Sequence, residues 1–421
     1  MAAIPPRCYS LPRSLLLRLS SPIRESLSQT PYAPPEGSAI SIKSLLEDLL
    51  PHRNQVSDDE FRVEIRDFIL CCAAMAASEG VEFPAVYWIP GDLARASILA
   101  LREMAVAVGL SSEREMVAEM MPEVVVQLKE VIKESCIDPD SEEVVAASAK
   151  APVACAVLAA HQFRWLASQV LYPNLGKIMW LLIPCALTAL DHWSPEVKEQ
   201  GMVTFIHVAK NVTVAELAWY EDAILDACCR NIASSDELWH LVVEVSVLML
   251  TFMEGKNPRS SWFEQILNEM LGHLERQPMN KERRVAWLLL IEPVFNAMGL
   301  VLLAHFRRIF SLFFHWMHAD DDKTVILVLE RLNAIIKLTW IRKSPYFQRL
   351  VDELIQLYKE SATKKSREVI RSHIMQTLIL LQKCQGSCFE AAWNKHNSDP
   401  NLTMLTSLFH NLACGTPESC A

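Results

Sequence analysis

Two histidines three residues apart, in His315-Trp316-Met317-His318, fall on one face of a helix, and Asp320, Asp321 and Asp322 follow after Ala319. Imidazoles beside carboxylates are the ligand types of a divalent transition metal, so metal binding is the chemistry this stretch could do. Their position argues for a plainer role. A helix ends here, and aspartates at the start of the next helix accept hydrogen bonds from its free N–H groups, which makes the run a turn and a cap. His207 lies on the inward face of its own helix and reads as a hydrogen-bonded core histidine rather than a general base. The Gly-rich phosphate loops and the GxSxG nucleophile turn are absent. The sequence therefore offers no catalytic set, and neither a cofactor nor a metal is expected.

The 12 cysteines include the adjacent pairs Cys71-Cys72 and Cys228-Cys229 and the loose pair Cys384 and Cys388, but no two CxxC motifs, so the spacing gives no zinc site. Most lie in apolar helical runs, as in Phe68-Ile69-Leu70-Cys71, and read as small buried hydrophobes in a reducing compartment. Basic clusters stand out more. Arg283-Arg284, Phe306-Arg307-Arg308 and Lys364-Lys365 with Arg367 are either solvated faces or a docking strip for an acidic partner. Most of the 11 tryptophans fall about one per helix, as core filling between stacked helices, with a few available as partner anchors.

The elements that carry these residues are helices. The segment 183–206 reads as two helices joined by a turn in the pattern of a HEAT-type repeat: Pro184 inside the first, Asp191 near its end, Ser194 capping the second with Pro195 at its first position. Val197, Gly201, Phe205 and Ile206 form the inner face and Lys198 points outward. Such a pair cannot bury its apolar stripe alone and implies stacked neighbours. Capping boxes are predicted at Ser57/Glu60, Ser112/Glu115, Thr213/Glu216, Ser234/Glu237 and Ser261/Glu264, with further starts at Asn280 and Ser344-Pro345. Gly80, Gly109 and Gly255 mark stops. From Asn174 the starts recur at roughly 20 residues, so pairs occupy roughly 40, the HEAT and armadillo period. Five pairs result, at about 174–212, 213–255, 261–303, 305–340 and 344–385. The N-terminal half is helical but less regular; Pro122, Pro139 and Pro152 are expected to cut it, and Ile137 to Glu143 reads as a linker.

The fold class is all-α, a HEAT/armadillo-like α-solenoid of stacked antiparallel helix pairs. Its expected division is a flexible N-terminal segment over 1–37, an irregular helical region over 38–172, HEAT-like repeats over 173–394, and a C-terminal helix and tail over 395–421. Composition agrees, with 51% hydrophobic residues, only 11 glycines and a mean hydropathy of +0.16. The net charge of -10 argues against a phosphate-neutralising surface for nucleic acid. The apolar runs 178–190 and 285–306 are too short or interrupted by Glu292-Pro293 and Asn296, so they read as core helices rather than membrane spans. The N-terminus, with Arg7, Arg13, Arg18 and Arg24 ahead of the first acid, Glu25, has transit-peptide composition, but Leu11, Leu15, Leu19 and Ile23 recur at helical spacing and read rather as a first amphipathic helix before the Pro-rich 30–37 linker.

A family resemblance extends this reading. Arg164-Trp165, Gln169-Val170, Pro173, Leu175, Pro184, Leu190-Asp191, Lys198, Gly201, Ile206-His207, Asn211-Val212, Leu217 and Tyr220 resemble the central block of the Tel-two-interacting protein two (Tti-two) family. Phe295, Gly299, His305 and Arg308, then Leu329, Leu332, Thr339-Trp340 and Arg342, then Leu378, Leu380-Leu381 and Cys384 are similar to its C-terminal helices. The resemblance covers about 164–384 and leaves the N-terminal half unmatched. It implies a non-catalytic scaffold subunit of the Triple T complex, beside Tel-two and Tti-one, working with the heat-shock-ninety machinery to mature and stabilise the phosphatidylinositol-kinase-related kinases. It implies a cytoplasmic protein with access to the nucleus, or an organelle protein if the N-terminus is a transit peptide. The alternatives are an α-solenoid adaptor or transport scaffold of another complex, and an organelle-targeted helical enzyme. Arg164, Trp165, Arg307, Arg308, Trp340 and Arg342 are the candidate partner-binding residues, with no membrane or nucleic-acid contact expected.

Overall fold

The computed structural model describes residues 6–34, 40–51, 57–79, 83, 85–135, 151–342, 344–396, 398–403, 405–407 and 409. The expected linker at 137–143, the stop at Gly80, Pro139 and most of the tail lie outside them. Every regular element among the described residues is helical. The chain divides into two compact units, 1–231 and 232–421. That division follows compactness, whereas the pair regularity beginning near Asn174 is a property of the sequence pattern.

Unit 1 holds α1 (Arg13–Gln29), α2 (Ile42–Asp48), α3 (Asp58–Ala76), α4 (Gly91–Ala107), α5 (Glu113–Glu134), α6 (Val153–Gln169), α7 (Asn174–Lys177), α8 (Met179–Leu190), α9 (Pro195–Asn211), α10 (Val214–Leu217) and α11 (Glu221–Asn231). Helices α3, α6 and α9 pack side by side in one row and α4, α5 and α8 in a second, so that α3/α4, α5/α6 and α8/α9 are the stacked pairs. Leu16, Leu19, Ile23 and Leu27 bury the apolar stripe of α1, which packs on α4. Pro122 does not cut the chain as expected. It sits within a continuous α5, where a proline removes one intrahelical bond and the packed faces on either side hold the helix together.

The α8/α9 pair is the one legible at 183–206. Val197 and Phe205 are fully buried, and Gly201 faces α8 so closely that a Cβ there would lie 3.0 Å from Leu190 Cδ1, 3.1 Å from Ala189 Cβ and 3.2 Å from the Ala186 carbonyl. Two details differ. Ser194 occupies the N-cap position before Pro195 but makes no side-chain cap bond; its N–H donates instead to His192 Nδ1 at 3.0 Å. Lys198 is half-buried and donates to Asn231 Oδ1 at 2.7 Å, so it fastens α9 to α11 rather than pointing into water.

Unit 2 holds α12 (Trp239–Glu254), α13 (Ser261–Arg276), α14 (Lys281–Leu290), α15 (Glu292–Met298), α16 (Phe306–Met317), α17 (Asp322–Thr339), α18 (Phe347–Glu360) and α19 (Arg367–Trp393). Helices α12, α14, α17 and α19 form one row and α13, α16 and α18 the other, in regular alternation. Trp287 and Trp316 lie fully buried with ring centroids 6.1 Å apart, and Phe295 stands edge-on to Trp287 at 5.8 Å. By length and composition the stretch 292–317 could cross a membrane; half of its most apolar window is buried within the protein, and Gly299 at φ 53 with a 3-10 segment over 299–305 interrupts it.

Helix starts followed the caps unevenly. Ser57/Glu60 forms a complete box, the Glu216 carboxylate accepts from Thr213 N and Oγ1 at 2.7 and 2.9 Å, and Asn280 accepts from Arg283 N at 3.1 Å. Ser112 accepts from Glu115 N, but the Glu115 carboxylate turns to Ser111 N and Oγ at 2.9 and 2.7 Å. The α13 cap is Ser260 rather than Ser261, and Ser235 rather than Ser234 precedes the short 3-10 turn into α12.

A valine at Gly201 must push α8 and α9 apart, so Gly201→Val is expected to lower unfolding free energy by about 1–3 kcal/mol. Gly272, where an added Cβ meets nothing closer than Arg308 Nη2 at 3.6 Å, should accept alanine with a gain of about 0.5–1 kcal/mol, both variants being read by urea titration.

Candidate protein-interaction surface

The basic clusters read as solvated faces or as a docking strip, and the structure spends most of them internally. Arg283 and Arg284, adjacent on α14, are each 6% exposed. Arg283 pairs through Nε with Asp236, donates to the Ser234 carbonyl at 3.1 Å and lies 4.7 Å over the Trp239 ring, whose Nε1 donates to the Arg283 carbonyl at 3.0 Å. Arg284 turns to the other neighbour, pairing with Asp321 and donating to Thr324 Oγ1 at 3.0 Å. Asp321 also caps α17, accepting from Thr324 N at 2.9 Å. Lys364 repeats the device one helix on: its ammonium donates to the Ala319 and Asp320 carbonyls, and Ser366 N donates to Asp322 Oδ2 at 2.7 Å. The starts of α12, α14, α17 and α19 are thus sewn together. These cations are structural, which corrects both the solvated-face and the docking-strip expectations for Arg283, Arg284 and Lys364.

The histidine run resolves in the same way. His315 is exposed with Nε2 3.3 Å from Met279 Sδ, whereas His318 places Nδ1 2.6 Å from Glu360 and Nε2 3.0 Å from Glu353. Burial pushes the His318 imidazole down, but the hydrogen bonds and charges of Glu360 and Glu353 outweigh it and hold its pKa above the ordinary histidine value. His207 is half-buried, with Nε2 3.1 Å from the Val170 carbonyl, and belongs to the hydrogen-bonded frame of unit 1. Burial likewise pushes the thiols of Cys71, Cys72 and Cys185 up, which leaves them poorly reactive.

The six candidate contact residues separate by environment. Arg164 is held in unit 1, with Nη2 2.9 Å from the Ala77 carbonyl and the guanidinium 5.0 Å over Phe83; burial brings its pKa down to about 10. Trp165 is 8% exposed and packs inward. Arg308 clasps α13, donating to Glu275 at 2.8 and 2.7 Å and to Asn268 Oδ1 at 2.8 Å, while its neighbour Arg307 is exposed. Trp340, 56% exposed, and Arg342 meet at a small cavity of about 30 Å³ beside Phe306, Phe347 and Cys384. Arg307, Trp340 and Arg342 are therefore the three that face solvent.

Sequence reasoning missed a larger feature on the α12–α14–α17–α19 row. A groove of about 680 Å³ opens between α15, α17 and α19, lined by Glu292, Glu330, Arg331, Lys337, His373 and Lys383 among others. On α19 the lining positions 373, 376, 380 and 383 recur at helical spacing, which is a signal the sequence carries, but pairing α19 with α17 is a long-range fact.

Comparison with known proteins places the chain. Uncharacterized protein At2g39910 of Arabidopsis thaliana is 50% identical over 409 residues, covering 93% of this chain and 93% of that protein. The chain belongs to the same family as that Arabidopsis protein. TELO2-interacting protein 2 of Homo sapiens is 24% identical over 247 residues, 53% of this chain and 48% of that protein, and its Rattus norvegicus counterpart is 25% identical over 246 residues, 53% and 47%. The chain therefore spans about half the length of the TELO2-interacting proteins it matches, as a distant homologue. No protein-family model matches it.

Two outcomes are expected of the ties described above. Arg284→Ala leaves the Asp321 carboxylate without its cation and should cost about 3–5 kcal/mol, whereas Arg307→Glu on the open surface should shift stability by no more than about 0.5 kcal/mol in the same denaturation series. Because the folded-state pKa of His318 is raised, its contribution is complete below the unfolded value of about 6.5 and fades as pH rises through the folded value. The destabilisation caused by His318→Gln should accordingly be larger near about pH 6 than near about pH 9 in thermal melts.

Proposed function

We propose that this protein is a non-catalytic scaffold subunit of a Triple T assembly, a partner of Tel-two and Tti-one that acts with the heat-shock-ninety machinery to mature and stabilise phosphatidylinositol-kinase-related kinases. The observation that carries the reading is the similarity, over half of this chain, to two TELO2-interacting proteins. The fold suits it. Two-row helical stacking exposes long helix faces whose packing needs no moving part, and binding energy on such a surface is collected from a few anchors. Arg307, Trp340 and Arg342 are the anchors of the original set that stand in solvent, and tryptophan and arginine dominate interface hot spots. On this reading the protein works in the cytoplasm, with access to the nucleus.

Loss of the gene should lower the steady-state amounts of the giant kinases while their transcripts stay constant, and affinity purification of the tagged full chain should recover Tel-two and Tti-one counterparts. Unchanged kinase levels, together with recovery of organelle proteins in place of those partners, would sink the proposal.

A further inference from the structure

The groove between α15, α17 and α19 has an uneven charge account. Its two acidic lining residues are already committed: Glu292 pairs with Arg331 Nη1, and Glu330 lies 3.6 Å from Arg331 Nη2. Arg331 itself is 9% exposed, and its Nε is buried with no hydrogen-bond acceptor among the described residues. Lys337 and Lys383, both exposed, line the same groove with no ion-pair partner among the described residues. Lys337 lies in the last turn of α17, where a cation offsets the helix dipole. Lys383 has no such role, because α19 continues to Trp393. On a chain of net charge -10, this leaves a local positive excess at the groove.

Apart from His373, the rest of the lining is apolar or amide. Leu338, Ile379 and Leu380 are half-buried within it, offering apolar surface that a free anion would not use. A volume of about 680 Å³ accommodates several side chains rather than one small ion. Two unpaired lysines beside two carboxylates are also a poor match for a nucleic-acid backbone, which demands a continuous basic track.

We propose that this groove is a docking site for an acidic, amphipathic segment of a partner protein, with Lys337 and Lys383 meeting its carboxylates and Leu338, Ile379 and Leu380 receiving its apolar side chains. Amphipathic helices laid into grooves use this combination of apolar anchors and flanking charge. The inference stands on the groove alone and does not depend on which complex the protein joins.

The test uses the full chain and two fluorescein-labelled helical peptides of equal length, one built from Glu and Leu and one from Lys and Leu, read by fluorescence anisotropy. The Glu/Leu peptide should bind. The double substitution Lys337→Glu with Lys383→Glu should weaken it by about tenfold or more, while Lys365→Glu with Lys395→Glu, both exposed and outside the groove, should change it by less than about twofold. Circular dichroism melts of both double variants establish that they are folded. Failure of the Glu/Leu peptide to bind, equal binding of the Lys/Leu peptide, or full affinity in the folded groove variant would each overturn the proposal. So would displacement by inorganic phosphate beyond that caused by chloride at matched ionic strength, since the site would then hold any small anion.

Discussion

A guanidinium buried between the starts of neighbouring helices is the constraint on which unit 2 depends. Stacked helices bury apolar faces against one another without fixing their sliding register, because dispersion and hydrophobic burial have little direction. The Arg283 and Arg284 side chains supply that direction. They leave one helix on opposite sides and end at Asp236 and Asp321, and Asp321 is at the same time the N-cap of α17. A carboxylate that caps one helix and pairs with the next can satisfy both demands only in a single register. The Lys364 contacts with the 319–320 carbonyls carry the same logic to α19. Such ties contribute less to net stability than to specificity, since the charges must be desolvated to form them.

Much of this was legible along the chain. Asn280 and Asp321 were readable as caps because capping is local, set by residues three positions apart. The α8/α9 pair and Gly201 were readable because apolar spacing and the need for close approach are both written within 25 residues of sequence. What escaped was the fate of charge. Arg283 and Arg307 look alike in a string of letters, yet one is enclosed by Asp236 and Trp239 and the other stands in solvent. The difference lies in which residues the stacking brings together, 40 or more positions apart. Lys198 was misread for the same reason, as Asn231 sits 33 residues downstream. Pro122 was misread in the opposite sense, since tertiary packing overrode a local penalty.

The functional consequence follows from that sorting. Once the internal cations are set aside, the solvent-facing features of unit 2 include Arg307, the Trp340–Arg342 edge, and the α15–α17–α19 groove, whose two lysines have no ion-pair partner among the described residues. A protein that acts by holding others needs such places and little else. The Cys71 and Cys185 thiols are buried with raised pKa values, and His207 and His318 are engaged by carbonyl and carboxylate partners.

The most direct test of the proposed role is a binary assembly experiment in which the full chain is co-expressed with the Tti-one counterpart of its own organism and the purified material is resolved by size-exclusion chromatography with light scattering. The account predicts co-elution at a mass equal to a defined stoichiometric complex, stable to dilution. Separate elution of two well-folded proteins, each at its own mass, would contradict it.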